Sequence, residues 1–129
     1  MPILNVKVSG QKNIATTKAI NELLLDLTHR ILGKKKEVTA IAIEYVDPDY
    51  WFVGGKLLSE QRTNSFYFDI KITDKTNTKD EKAQYIKEAF EGFEQILGNL
   101  HEESYIYVQD VRAASHGYGG KTQEYRYHK

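Results

Sequence analysis

A chain of 129 residues with 40% hydrophobic and 28% charged residues has the size and balance of one folded domain with its own core. Its formal net charge of zero argues against long-range attraction to nucleic acid or to an anionic membrane. With no cysteine there are no disulfides, no thiol nucleophile and no cysteine-ligated metal.

Histidines stand at His29, His101, His116 and His128 without the paired spacing of a metal site. Neither a metal nor a cofactor is expected. No apolar run has the length of a membrane span or a signal segment, so a cytoplasmic location without a membrane partner is expected.

The chain opens as a strand, with Leu4, Val6 and Val8 alternating onto one face. The small residue at position 2 permits removal of Met1, which leaves Pro2 as an N-terminal secondary amine. Such an amine acts as a base near neutral pH without help from histidine or metal. Ile20, Leu23, Leu24, Leu27 and Ile31 then form one apolar stripe of a helix, capped near Gly33. Lys34, Lys35 and Lys36 follow, where cations suit the helix dipole or a pocket anion. A returning strand is expected over residues 38–45. Asp47-Pro48-Asp49 reads as a turn, and Trp51 precedes a second turn at Gly54-Gly55.

The pattern then repeats. Phe66, Phe68, Ile70 and Ile72 alternate on a strand. Thr78 and Glu81 make a capping box for a helix with the stripe Ile86, Phe90, Phe93 and Leu97, ended by Gly98. A strand over residues 104–111 leads to Gly119-Gly120. Val6-Lys7-Val8-Ser9 aligns with Ile70-Lys71-Ile72-Thr73, Ile31-Leu32-Gly33 with Ile96-Leu97-Gly98, and Gly54-Gly55 with Gly119-Gly120. Three matches in order indicate an internal duplication.

The expected fold is therefore α/β in the α+β sense. Residues 1–129 form a single domain of two β-α-β repeats, about 1–62 and 63–129. Right-handed parallel crossovers give a four-stranded mixed sheet with both helices on one face. The other face carries Asn5, Lys7, Ala40, Ala42, Tyr67, Asp69, Lys71, Tyr105 and Tyr107. Alanines and tyrosines solvate poorly, so a closed homo-oligomer packed through this face is expected. A partly polar face open to solvent is the alternative.

Together these residues resemble the tautomerase superfamily, the group of 4-oxalocrotonate tautomerase and macrophage migration inhibitory factor. The resemblance rests on Pro2-Ile3 with its strand, Trp51-Phe52-Val53-Gly54-Gly55, Ile31-Leu32-Gly33-Lys34, and the stretch from Tyr105 to Tyr118. It implies a homotrimer with the Pro2 amine at the base of a pocket. It further implies that Lys34 and a neighbouring subunit's Tyr105 line that pocket, with Tyr107 at a further lining position. The arginine pair of 4-oxalocrotonate tautomerase does not carry over, since Lys12 and Ala40 stand near those positions. The Cys-x-x-Cys of the inhibitory factor is absent.

The chemistry implied is a cofactor-independent tautomerase or isomerase acting on a small enolisable 2-oxo acid or an aryl keto/enol compound. Pro2 is its acid/base, Tyr105 an oxyanion donor, and Lys34, Tyr107 and Trp51 bind substrate. Each role has a plainer counterpart: interface packing for the tyrosines, stapling of the Gly-Gly turn for Trp51, a solvated cation for Lys34. Arg112 and His116 read as surface or interface groups, with ligand contact as the alternative. Two other functions stay open: hydratase or dehalogenase chemistry on an unsaturated acid, and a non-catalytic small-ligand-binding or assembly module.

Overall fold

The computed structural model describes residues 2–127. Met1, whose removal the amine requires, and His128 lie outside the described residues. In chain order the elements are β1 (Ile3–Ser9), α1 (Ile14–Arg30), β2 (Ala40–Val46), β3 (Phe52–Val53), β4 (Lys56–Leu57) and α2 (Leu58–Gln61). The second half runs β5 (Phe66–Thr73), α3 (Lys79–Leu97), β6 (Tyr105–Val111), β7 (Gly117–Tyr118), β8 (Lys121–Thr122) and α4 (Gln123–Tyr127).

The main sheet has the order β2-β1-β5-β6. Each helix connects a parallel pair, β1 with β2 and β5 with β6, while the central β1 and β5 run antiparallel. The two halves correspond closely. Gly33 and Gly98 take φ of +71° and +70°, and the turns Gly54-Gly55 and Gly119-Gly120 take +63°/+77° and +61°/+78°. Positive φ favours a residue without Cβ, which explains why glycine recurs there. The hairpins and short helices after each turn are part of the repeat as well. Trp51 O accepts from Leu58 N at 3.0 Å, as His116 O accepts from Gln123 N at 2.9 Å.

The core lies between the sheet and the two long helices. Leu4, Val6 and Val8 of β1 and Phe66, Phe68, Ile70 and Ile72 of β5 meet Ile20, Leu24 and Leu27 of α1. From α3 come Tyr85, Ala89 and Phe93. Phe66 stacks on Phe93 with centroids 3.9 Å apart. The stripe expected on α3 is thus corrected. Ile86 is 39% exposed, whereas Tyr85 is fully buried. Tyr85 can occupy the core because its hydroxyl is satisfied by Thr28 Oγ1 of α1 at 2.8 Å. Burial raises the Tyr85 pKa.

The returning strand also begins later than expected, at Ala40, because residues Lys36–Val38 form a 3₁₀ turn. The α1 helix ends at Arg30, ahead of Gly33. Asn13 caps its start, its side chain accepting from Thr16 N at 3.0 Å.

The face without helices carries the residues expected of it. Register places Ala42, Asn5, Asp69 and Tyr107 in one row, and Glu44, Lys7, Tyr67 and Tyr105 in the next. Asp69 is buried beneath its row, bonded to Tyr67 Oη and Lys71 Nζ at 3.0 Å each.

Phe93→Ala should cost about 3–5 kcal/mol in urea unfolding, whereas Ile86→Ala should cost about 1 kcal/mol or less. Equal losses would restore the stripe centred on Ile86.

Candidate active site

Pro2 stands at one end of the sheet, just ahead of the central β1. Its carbonyl accepts from Ala40 N at 3.0 Å, and its side chain is buried. Continuing the register from the pair Ile3–Lys71 sets Pro2 opposite Ile72. At the same end lies a cavity of about 310 Å³, whose walls include Lys34, Val38, Ile72, Thr73, Tyr118, Gln123 and Tyr127. The turn after α1, the end of β5 and the second hairpin unit therefore converge at the Pro2 end of the sheet.

Lys34 is held there rather than loose in solvent. Its Nζ donates to Thr76 Oγ1 at 2.9 Å, and Thr76 donates to Thr73 O at 2.6 Å. The lysine carbonyl hydrogen-bonds His29 Nδ1 at 2.9 Å, which fixes the turn. Burial lowers the Lys34 pKa, against the attraction of Glu81 and Asp110. Both carboxylates have other partners: Glu81 closes the α3 capping box, and Asp110 pairs with Lys82 at 2.5 Å.

His116, read from sequence as a surface or interface group, is half-buried at the same end. Its Nε2 lies 3.2 Å from Thr73 Oγ1. Its Nδ1 is buried with no hydrogen-bond partner, as is Oε1 of Gln123. Burial lowers the His116 pKa. The sequence signal for this residue was its place beside Gly117 in the second repeat, where the first has Trp51.

The remaining site residues lie elsewhere in the chain. Tyr105 faces Tyr67, which faces Lys7, so it sits two strands across and five residues along the sheet from Pro2, roughly 16 Å in the strand direction alone. Tyr105 is 52% exposed and Tyr107 51%, both on the edge strand. Tyr105 donates to Glu103 at 2.6 Å, and this carboxylate raises the phenol pKa. Trp51 is half-buried at the far end and braces the first hairpin through its carbonyl. Lys12 borders a separate groove with Asn13, Ile43 and Tyr45. Within one chain, then, Pro2 and Lys34 lie at the same end of the sheet, Lys34 lining the cavity and Pro2 opposite its wall residue Ile72, while Tyr105, Tyr107 and Trp51 lie elsewhere.

The duplicated end shows what the Pro2 end lacks. There Asn99 replaces Lys34, and fully buried Leu58 replaces Gln123. Ser9 and Ser65 clasp the chain, with Ser9 N donating to Ser65 O at 3.0 Å and Ser65 N to Ser9 Oγ at 2.9 Å. The position matching Pro2 is Phe66, whose nitrogen is an ordinary amide within the chain. Among the described residues, then, the Pro2 end has a cavity lined by Lys34 where the matching place is filled by Leu58.

Solved structures share this architecture. A fused 4-OT solved as an asymmetric trimer aligns over 96% of this chain and 98% of its own, with a TM-score of 0.82 at 16% identity. A macrophage migration inhibitory factor-like protein from Entamoeba histolytica aligns over 94% and 97%, with a TM-score of 0.76 at 18% identity. The chain has the tautomerase fold. Pt0534, solved after inactivation by 2-oxo-3-pentynoate, aligns over 95% and 98% with a TM-score of 0.82 at 13% identity. No family model and no curated protein sequence matches the chain. Among the described residues no helix is long and apolar enough to cross a membrane.

Lys34 should titrate below the ordinary lysine value, and Glu81→Gln should lower it further by removing an attractive charge. Lysine ¹³Cε NMR, with Lys34→Arg assigning the signal, measures both. A Lys34 signal at the ordinary value would contradict its burial.

Proposed function

We propose that the Pro2 cavity is the active site of a cofactor-independent tautomerase or isomerase. The observation that carries this reading is that Pro2, opposite Ile72 in register, stands at the end of the sheet where Lys34 and Ile72 line a cavity. An α-amino group has an ordinary pKa of about 7.7–8.0. Burial beside the Lys34 cation favours the neutral amine and brings that value toward neutral pH.

The reaction is a proton transfer between carbon and oxygen, or between two carbons, of a small enolisable 2-oxo acid or aryl keto/enol compound. In the enolising direction the neutral amine takes the proton alpha to the carbonyl. In the ketonising direction the ammonium delivers a proton to carbon, and the proton lost by the enol oxygen restores the balance. Lys34 offers a cation to the substrate carboxylate or the enolate oxygen. The pyrrolidine ring holds the nitrogen's direction, which favours one productive geometry.

The tyrosines enter through assembly. The uncovered face with Tyr67, Tyr105 and Tyr107 supports a homotrimer, and fused 4-OT structures of the same fold were solved as trimers. In that arrangement Tyr105 reaches the Pro2 cavity of an adjacent subunit as an oxyanion donor, with Tyr107 and Trp51 as substrate-binding neighbours. Its distance from Pro2 within one chain supports a role between subunits.

Pro2→Ala should slow ketonisation of phenylenolpyruvate by about 100-fold or more, in protein whose intact mass shows Met1 removed. Equal rates for mutant and wild type would end the amine mechanism and favour a binding module. Tyr105→Phe should also be slow. Co-refolding it with Pro2→Ala should restore about a quarter of wild-type activity, because random trimers reunite both groups at that share of interfaces. No recovery would place Tyr105 outside the shared site.

A further inference from the structure

Resting on the reading of Pro2 as a free N-terminal amine, we propose that Nδ1 of His116 accepts a hydrogen bond from that amine and fixes its position at the cavity. Three observations converge on this pairing. His116 Nε2 lies 3.2 Å from Thr73 Oγ1, so the ring is anchored to the end of β5. Register sets Pro2 opposite Ile72, and the Pro2 nitrogen, on the side away from Ile3, points along the strand toward the level of Thr73. Opposite residues of an antiparallel pair have Cα atoms about 4.5–5.5 Å apart, which brings the anchored ring within reach of that nitrogen. Finally, Nδ1 is buried with no partner. A buried nitrogen of this kind needs a donor or an acceptor, and leaving it unmet is costly.

The pairing assigns the tautomer. With Nδ1 accepting from the amine, the ring proton is on Nε2, which donates to Thr73 Oγ1. A secondary ammonium has two N–H groups, so it can give one to His116 and keep the other for the substrate. A hydrogen bond accepted from the ammonium favours the charged form, opposite in sign to the effect of Lys34. The imidazole serves this purpose only while neutral, and burial keeps it so around neutral pH. His116 is thus a positioning residue acting through Pro2.

Other charges also bear on this end of the sheet. Lys34 follows α1, Glu81 and Lys82 open α3, Asp74 and Asp110 lie at the ends of the β5 and β6 stretches, and Lys121 and Arg126 come from the second hairpin unit. Lys82 is paired with Asp110, Arg126 lies on the Tyr118 ring, and Lys121 faces the Tyr125 ring. None of these supplies the neutral acceptor that Nδ1 offers.

The chain has two prolines, and Pro48 lies within the chain as an amide, so ¹⁵N-proline labelling isolates the Pro2 nitrogen. Its NMR titration should move down by about one pH unit in His116→Leu and His116→Gln, a roughly tenfold change in ionisation constant. His116→Asn places an amide near the Nδ1 position and should stay within a few tenths of wild type. A titration unchanged in His116→Leu, or one shifted equally in all three folded variants, overturns the pairing. If wild type shows no titrating proline nitrogen, both the pairing and the free-amine reading fall. If Pro2→Ala keeps full turnover while the wild-type titration still responds to His116, the catalytic reading falls and the pairing stands.

Discussion

Two helices can cover only one face of a four-stranded sheet, and most of what distinguishes this molecule follows from that imbalance. Phe66, Phe68, Phe93 and Tyr85 fill the covered side so fully that the core has no role left for the opposite face. That face must then be met by water or by another chain. Its two rows of polar and aromatic side chains, with Asp69 buried among Tyr67 and Lys71, are suited to a protein neighbour. The same arrangement leaves the proposed chemistry to the ends of the strands, where turns and hairpins meet and space remains.

The duplication gives those ends a common plan and different contents. At one end Pro2 leads into β1, and Lys34, Thr73, His116 and Gln123 surround a cavity or sit beside it. At the other, the chain passes straight through the matching place, held by Ser9 and Ser65, while Leu58 fills the space. The backbone turns are nearly superposable, down to the paired glycine angles, so the difference arises from side chains and from chain continuity.

Much of the fold was legible in the sequence because its signals were local. Alternation in β1 and β5 reports burial directly, and the Thr78–Glu81 capping box marks the start of α3. The α3 stripe was misread because Tyr85 carries a hydroxyl, and nothing near it in sequence announces that Thr28 will satisfy that group. The short helices α2 and α4 are too brief for a periodic signal. For the site, the position of Pro2 and the cation at Lys34 could be read directly. The burial of His116 could not, since it depends on Thr73, which lies 43 residues away in the chain. The separation of Tyr105 from Pro2 likewise appears only once strand direction is known.

The clasp between Ser9 and Ser65 has a wider meaning. A molecule made of two matching halves, with one end open and the other sewn shut, contains its own reference. A change made at the sewn end tests how well the scaffold tolerates it. The matching change at the open end registers that same tolerance together with whatever the cavity does. The difference between the two isolates function from folding within a single polypeptide, without recourse to a second protein.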